Sequence, residues 1–143
     1  MKINIILQNI GTKKCIEKAA ILAKVTAPIQ TLHLRDLDLK IVDIRAISDC
    51  LNEEEHLKSI SLSYNSIGDL GTIVLVENLP KSITEIGLVN CGITDVGGME
   101  LLKYMKKSPQ LQMVCIEENH FSVALRIAFQ QFNKENTQIL FVF

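Results

Sequence analysis

The stretch LKSISLSYNSIGDLG, residues 57–71, decides how the rest of the chain is read. Ile60 and Leu62 alternate with Ser59, Ser61 and Ser63, the period of a strand with one dry and one wet face. Asn65, Ile67 and a Gly-Asp-Leu-Gly run then end the alternation. The order apolar-x-x-apolar-x-apolar-x-x-polar-x-apolar is Leu57, Ile60, Leu62, Asn65 and Ile67 here, and it recurs. Upstream it is Ile29, Leu32, Leu34, Leu37 and Leu39; downstream it is Ile83, Ile86, Leu88, Cys91 and Ile93, then Leu111, Val114, Ile116, Asn119 and Phe121. Starts at 29, 57, 83 and 111 lie 28, 26 and 28 residues apart, and a further 28 lands on Ile139 of the closing ILFVF. Ile3, Ile5, Gln8 and Ile10 fit the same slots at a spacing of 29, which predicts a strand there. Repeats therefore begin near residues 1, 29, 57, 83, 111 and 139, and residues 1–143 read as one repetitive domain of four to six units.

Each unit must turn after its strand, and the turn leaves backbone groups without ladder partners in a partly buried place. An asparagine amide both donates and accepts, so Asn65 and Asn119 read as residues that satisfy those groups. Cys91 fills the same slot as a small, buriable side chain with a weak donor. Helical stretches are predicted over 12–24, 41–51, 69–79, 95–107 and 122–134, with Asp69, Asp95 and Ser122 as N-caps and Pro28, Pro80 and Pro109 as stops. Lys103, Lys106 and Lys107 lie along the last turns of one helix, where they favour its negative end.

On these residues the chain resembles the leucine-rich-repeat family. Repeats of about 28 residues, with IGDLG at 67–71 and ITDVGGMELL at 93–102 after the polar slot, look like the ribonuclease-inhibitor subtype, in which each strand is followed by a full α-helix. The chain departs from the pattern where Leu37 and Gln8 occupy the asparagine slot and where glycines are missing after Leu39 and Phe121. The resemblance implies an α/β solenoid, a short horseshoe with a parallel sheet on its concave face and helices on its convex face. It also implies inhibitors, adaptors and regulators whose partners are proteins. Small proteins of this subtype occur among bacterial effectors and their antagonists, and the Ile, Lys and Asn usage resembles an AT-rich genome.

Composition narrows the function classes. Fifteen basic and sixteen acidic residues leave a net charge of −1, which provides no field to hold a polyanion or an anionic membrane, so neither nucleic acid nor membrane is expected as a partner. Apolar runs are too short to span a bilayer or to form a signal-peptide core, and a cytoplasmic location is the expectation. Cys15, Cys50, Cys91 and Cys115 are evenly spread without a C-x-x-C pair, which reads as free thiols. With His33, His56 and His120 at unrelated slots, no metal or other cofactor is expected.

Catalytic readings find little support. SIGDLGT and NCGITDVGG lack the order and the lysine of a phosphate loop. Cys115 and His33 occupy equivalent outward slots three strands apart, which puts them about 14 Å from each other, beyond the reach of a nucleophile and its base. Ser61 adjoins His33 on the next strand, but Asp36 points to a different slot and no oxyanion hole is evident. A non-enzymatic chain is expected.

The outward sheet face is the remaining candidate. Arg35, Tyr64, Val89 and Met113 are expected to form a diagonal of interface-type side chains. His33 and Arg35 lie toward one end of the face and Glu85, Glu117 and Glu118 toward the other, so His33, Arg35, Tyr64, Val89, Met113 and Glu117 are the expected protein-binding residues. In the terminal strand Ile139 and Val142 are expected as core residues, with Phe141 and Phe143 outward. Such an edge would pair with a second copy, bind a partner or rearrange. Two other readings stand beside protein binding: a GTPase-activating regulator with Arg35 as its finger, and a self-assembling module that uses the terminal strand.

Overall fold

A computed structural model describes residues 2–143. Helices α1 (Lys2–Ile10) and α2 (Lys13–Ala23) come first, followed by regular alternation: β1 (Thr31–His33), α3 (Ile41–Leu51), β2 (Ser59–Ser61), α4 (Gly68–Asn78), β3 (Glu85–Gly87), α5 (Asp95–Lys106), β4 (Met113–Cys115), α6 (Val123–Glu135) and β5 (Leu140–Val142). The five strands pair in parallel and in chain order. Parallel neighbours require a crossover on one face, and every crossover here carries a helix, so the chain winds into an α/β solenoid.

The register aligns Leu32, Ile60, Ile86, Val114 and Phe141 as one row across the sheet. All five are buried, as are Leu34, Leu62, Leu88 and Ile116 in the next inward row. These rows meet the inner faces of the helices, where Ile44, Ile47, Leu75, Leu101, Met105 and Phe129 are buried. Helices α2 to α6 start and end within a residue of the bounds expected from the repeat.

The N-terminal unit is not a strand. Residues 2–10 form α1, with Ile3 and Leu7 buried, while Ile5 is 55% exposed. Ile3, Ile6, Leu7 and Ile10 recur at three- and four-residue spacing, and this helical period prevails over the alternation of Ile3 with Ile5. Helix α1 packs against both α2 and α3. Helix α2 reaches the turn after β1, where Lys14 Nζ lies 2.8 Å from Asp36 Oδ2 and the Cys15 thiol 3.6 Å from the Leu37 carbonyl. A helical pair with an exposed outer side therefore begins the solenoid.

Asn65 and Asn119 occupy the turn slot as the repeat requires. Asn65 Oδ1 accepts from the N–H groups of Leu37 and Leu39, and its amide donates to the carbonyls of Leu34, Leu62 and Ser63. Asn119 repeats the pattern on Cys91, Ile93, Leu88, Ile116 and Glu117. Cys91 is fully buried, and its thiol donates to the carbonyls of Leu62 and Val89. Burial pushes that thiol up to about 11, so it stays protonated and can donate. Lacking an amide oxygen, it offers no second bond to the preceding turn, and Ile67 N–H bonds Asn65 O instead. That local tightening places Ile67 in the helical region and starts α4 at Gly68.

Asp69 and Asp95 were expected to cap their own helices, but they serve the next unit. Asp69 Oδ1 accepts from Thr94 N–H at 2.8 Å and Gly97 N–H at 2.9 Å, and Oδ2 from the Thr94 hydroxyl. Asp95 Oδ1 accepts from Ser122 N–H, while Ser122 caps α6 by accepting from Leu125 N–H. Gly97 permits this contact, because a Cβ there would lie 2.7 Å from Asp69 Oδ1. Burial alone would raise the Asp69 carboxyl, but the three hydrogen bonds outweigh it and hold the carboxyl below its ordinary 3.8. The native state therefore binds this proton more weakly than the unfolded chain. Its stabilisation is complete above the ordinary value and is lost as pH falls toward the depressed one. Asp69→Asn should cost about 1 kcal/mol at pH 7 in urea unfolding, and its gap from wild type should close below about pH 4.

The C-terminal strand differs from the expected register by one residue. Val114 pairs with Phe141, not Val142, because the spacing is 27 rather than 28. In a strand such a slip exchanges the two faces, so Phe141 is buried and Val142 is turned outward. Ile139 remains buried and Phe143 is half-buried. The cause is an aromatic cluster that holds every phenylalanine in the chain. Phe129 has Phe121, Phe141 and Phe143 at ring separations of 5.1, 5.2 and 5.3 Å, and Phe132 stands 6.1 Å from Phe141. The cluster packs Phe141 against α6 and leaves Leu140 exposed on β5.

Candidate protein-binding face

Alternation carries the remaining side chains to the sheet face away from the helices. In register, His33, Ser61, Gly87, Cys115 and Val142 form one row, and Thr31, Ser59, Glu85, Met113 and Leu140 another. The pairing continues past the strands, since Asp36, Tyr64 and Asn90 N–H donate to the carbonyls of Ser63, Val89 and Glu117. Arg35, Ser63, Val89 and Glu117 consequently form a third row.

A hollow of about 230 Å³ opens on this face. Its middle row is made of small residues, Ser61, Gly87 and Cys115, with Val89 and Met113 beside them and His33, Ser59 and Glu85 at the margins. Gly87 creates the depression: a Cβ would lie in it, 3.0 Å from Ser61 Oγ. Ser61 and Ser63 are tied together, with their hydroxyls 3.2 Å apart, and Ser63 Oγ accepts from Val89 N–H. His33 Nε2 sits 3.1 Å from Ser59 Oγ, so His33 meets Ser59 and not the Ser61 that adjoins it in register.

Burial holds the Cys115 thiol above its ordinary value, and the Glu117 and Glu85 carboxylates add to the effect. A thiol so placed is a poor nucleophile at neutral pH. Burial likewise raises Cys50, and all four cysteines are free. Among the described residues no group of three or more His, Cys, Asp or Glu gathers to hold a metal, and no helix is long and apolar enough to cross a membrane.

The residues of the expected diagonal divide between the hollow and its rim, and Tyr64 adjoins Val89 through the bond from Tyr64 N–H to Val89 O. His33, Val89 and Met113 line the hollow, but Arg35 and Tyr64 stand beyond it at the turn rim. The Arg35 guanidinium lies 4.4 Å from the Tyr64 ring centroid, a cation–π pair. Glu117 is half-buried on the same row as Val89. Tyr64 has φ 61°, and the same left-handed turn position holds Asp36 at 53°, Asn90 at 49° and Glu118 at 61°. Short polar residues tolerate this conformation better than an aromatic one. The turn itself is therefore architecture, while the tyrosine side chain is not needed for it. Asparagine at this position should relieve the backbone while forfeiting the stacked pair, so Tyr64→Asn should stay within about 1 kcal/mol of wild type in thermal unfolding.

The missing signals were local ones. The depression at Gly87 is visible in sequence only as one glycine in an outward slot, and the Asp69–Gly97 bond links residues 28 apart with no motif of their own.

No family model matches the chain. Among curated proteins, it is 28% identical over 94 residues to NACHT, LRR and PYD domains-containing protein 14 of Mus musculus, covering 64% of this chain and 10% of that protein. It is 30% identical over 104 residues to NACHT, LRR and PYD domains-containing protein 5 of Mus musculus, covering 66% and 9%. The chain thus spans about a tenth of the length of the curated relatives it matches. Among solved structures, it superposes on leiomodin-1 actin-binding site 2 with a TM-score of 0.68 at 15% identity, over 79% of this chain and 68% of that one. The tropomodulin C-terminal domain of Caenorhabditis elegans gives 0.68 at 15%, over 82% and 74%. Together with the five parallel strands and their crossover helices, these likenesses establish the fold as a leucine-rich-repeat α/β solenoid.

Proposed function

We propose that the chain is a non-catalytic protein-interaction module that binds a protein partner through its open, concave sheet face. The observation that supports this most is the hollow over Gly87, a concave, largely apolar depression on a rigid hydrogen-bonded sheet. The stacked Arg35–Tyr64 pair at its rim offers two residue types enriched at binding hot spots. One structural neighbour is described as an actin-binding site, which agrees with use of this fold for protein recognition. The complete helix after each of β1 to β4 supports assignment to the ribonuclease-inhibitor subtype.

Wild type and an Arg35→Glu/Tyr64→Asn variant, immobilised at equal density, are the pair to compare in affinity capture. Loss of specific partners from the variant is the expected result. Identical partner sets for both proteins would remove the rim from the site.

A second reading, self-association, is supported by β5. It is the last strand of the sheet, and Leu140 on it is 59% exposed. If copies pair there, Leu140→Lys should convert a dimer to a monomer in light scattering without changing the thermal midpoint by more than about 2 °C. A wild-type monomer at the same concentration removes this reading.

A further inference from the structure

The acidic end of the concave face carries two carboxylates, Glu85 and Glu117, that form no ion pair among the described residues. Glu85 stands at the margin of the hollow, and Glu117 stands one pleat beyond Cys115 on the same face. Both are close enough to Cys115 to push its thiol upward. Among the described residues neither takes part in an ion pair; the five pairs found there all lie elsewhere. One oxygen of Glu117, Oε2, is enclosed and accepts no hydrogen bond. Beside Glu85 lie Val89, Met113 and the Gly87 depression, an apolar bed of the kind on which the methylene stem of a lysine or arginine packs.

From this we infer that the hollow is a receptor for a basic side chain of the partner protein: a lysine or arginine whose stem lies over Val89, Gly87 and Met113 and whose head donates to Glu85 at the margin, with Glu117 adding negative potential from the same face. The inference rests on the concave-face reading and specifies its partner. A long cationic side chain matches both halves of the site at once, the apolar bed and the unpaired Glu85 carboxylate at its margin, which neither an aliphatic nor an acidic side chain does. Complementary charge on a desolvated floor provides selectivity as well as attraction.

The probe is a phage-displayed library of random 12-residue peptides selected on the purified protein. Selected peptides are then synthesised with a fluorophore, and their affinities are measured by anisotropy at two salt concentrations. Peptides carrying lysine or arginine beside an aliphatic residue are expected, with affinity falling at least tenfold for Glu85→Gln/Glu117→Gln and for Gly87→Val, which fills the depression. Circular dichroism and thermal midpoints verify that both variants are folded, and Ser61→Ala provides a second folded probe of the floor should Gly87→Val misfold. Peptides that lose affinity on Gly87→Val or Ser61→Ala but not on the double glutamine change overturn the cation assignment while leaving the concave-face reading standing. Peptides without a basic residue also overturn it. Failure to select any peptide that discriminates wild type from Gly87→Val and Ser61→Ala overturns the hollow itself as the receptor.

Discussion

Phe129→Ala is expected to lower the unfolding free energy by about 3–5 kcal/mol, the largest effect of any single truncation in the molecule. The side chain is fully buried and touches three other phenylalanine rings from both sides of the last crossover. Removing it leaves a cavity that helix α6 and strand β5 cannot both close, because the residues flanking Phe121, His120 and Ser122, are bonded to the preceding unit and Phe141 lies in a paired strand. In a linear array the damage should begin at the end: amides of β5 and the Ile116 N–H bonded to Val142 O should lose hydrogen-exchange protection before those of β2. Phe129→Leu, which keeps most of the volume, should cost about 1–2 kcal/mol. A Phe129→Ala midpoint indistinguishable from wild type would mean that the aromatic cluster does not hold the C-terminal unit.

Asn65→Ala should cost about 2–4 kcal/mol, since it strands two buried N–H donors and removes donors from three carbonyls in one step. The magnitude separates this side chain from an ordinary surface polar group, whose loss is usually worth less than about 0.5 kcal/mol. Cys91→Ala in the equivalent slot should cost distinctly less, because the thiol makes only two weak bonds and Ile67 N–H has already found another acceptor. Urea unfolding of the two variants side by side tests the comparison, and equal costs would contradict the division of labour between asparagine and cysteine. Asn119→Ala should match Asn65→Ala, as its bonds repeat unit for unit.

The repeat made most of the architecture legible because strand, turn and helix each leave a periodic mark. The alternation around Ile60 and Leu62, the polar slot at Asn65 and the prolines after α2, α4 and α5 place four strands and five helices close to their observed bounds. Period was ambiguous in the first described unit and in the last strand. At residues 2–10 the apolar residues satisfy both a strand and a helix, and packing against α2 and α3 selected the helix. At the other end the repeat count favoured Val142 as the inward residue, but Phe141 buries more apolar surface against Phe129 and Phe132, so the strand slips by one.

Which residues face outward followed from alternation, and so the candidate face was readable as a set. Its internal geometry was not. That Arg35 stacks on Tyr64, that His33 meets Ser59 and that Gly87 opens a hollow between Val89 and Met113 depend on pleat, twist and side-chain reach between strands. Those are distances across the sheet between residues about 26 apart in the chain, and a repeat period carries the identity of neighbours without the shape of the space between them.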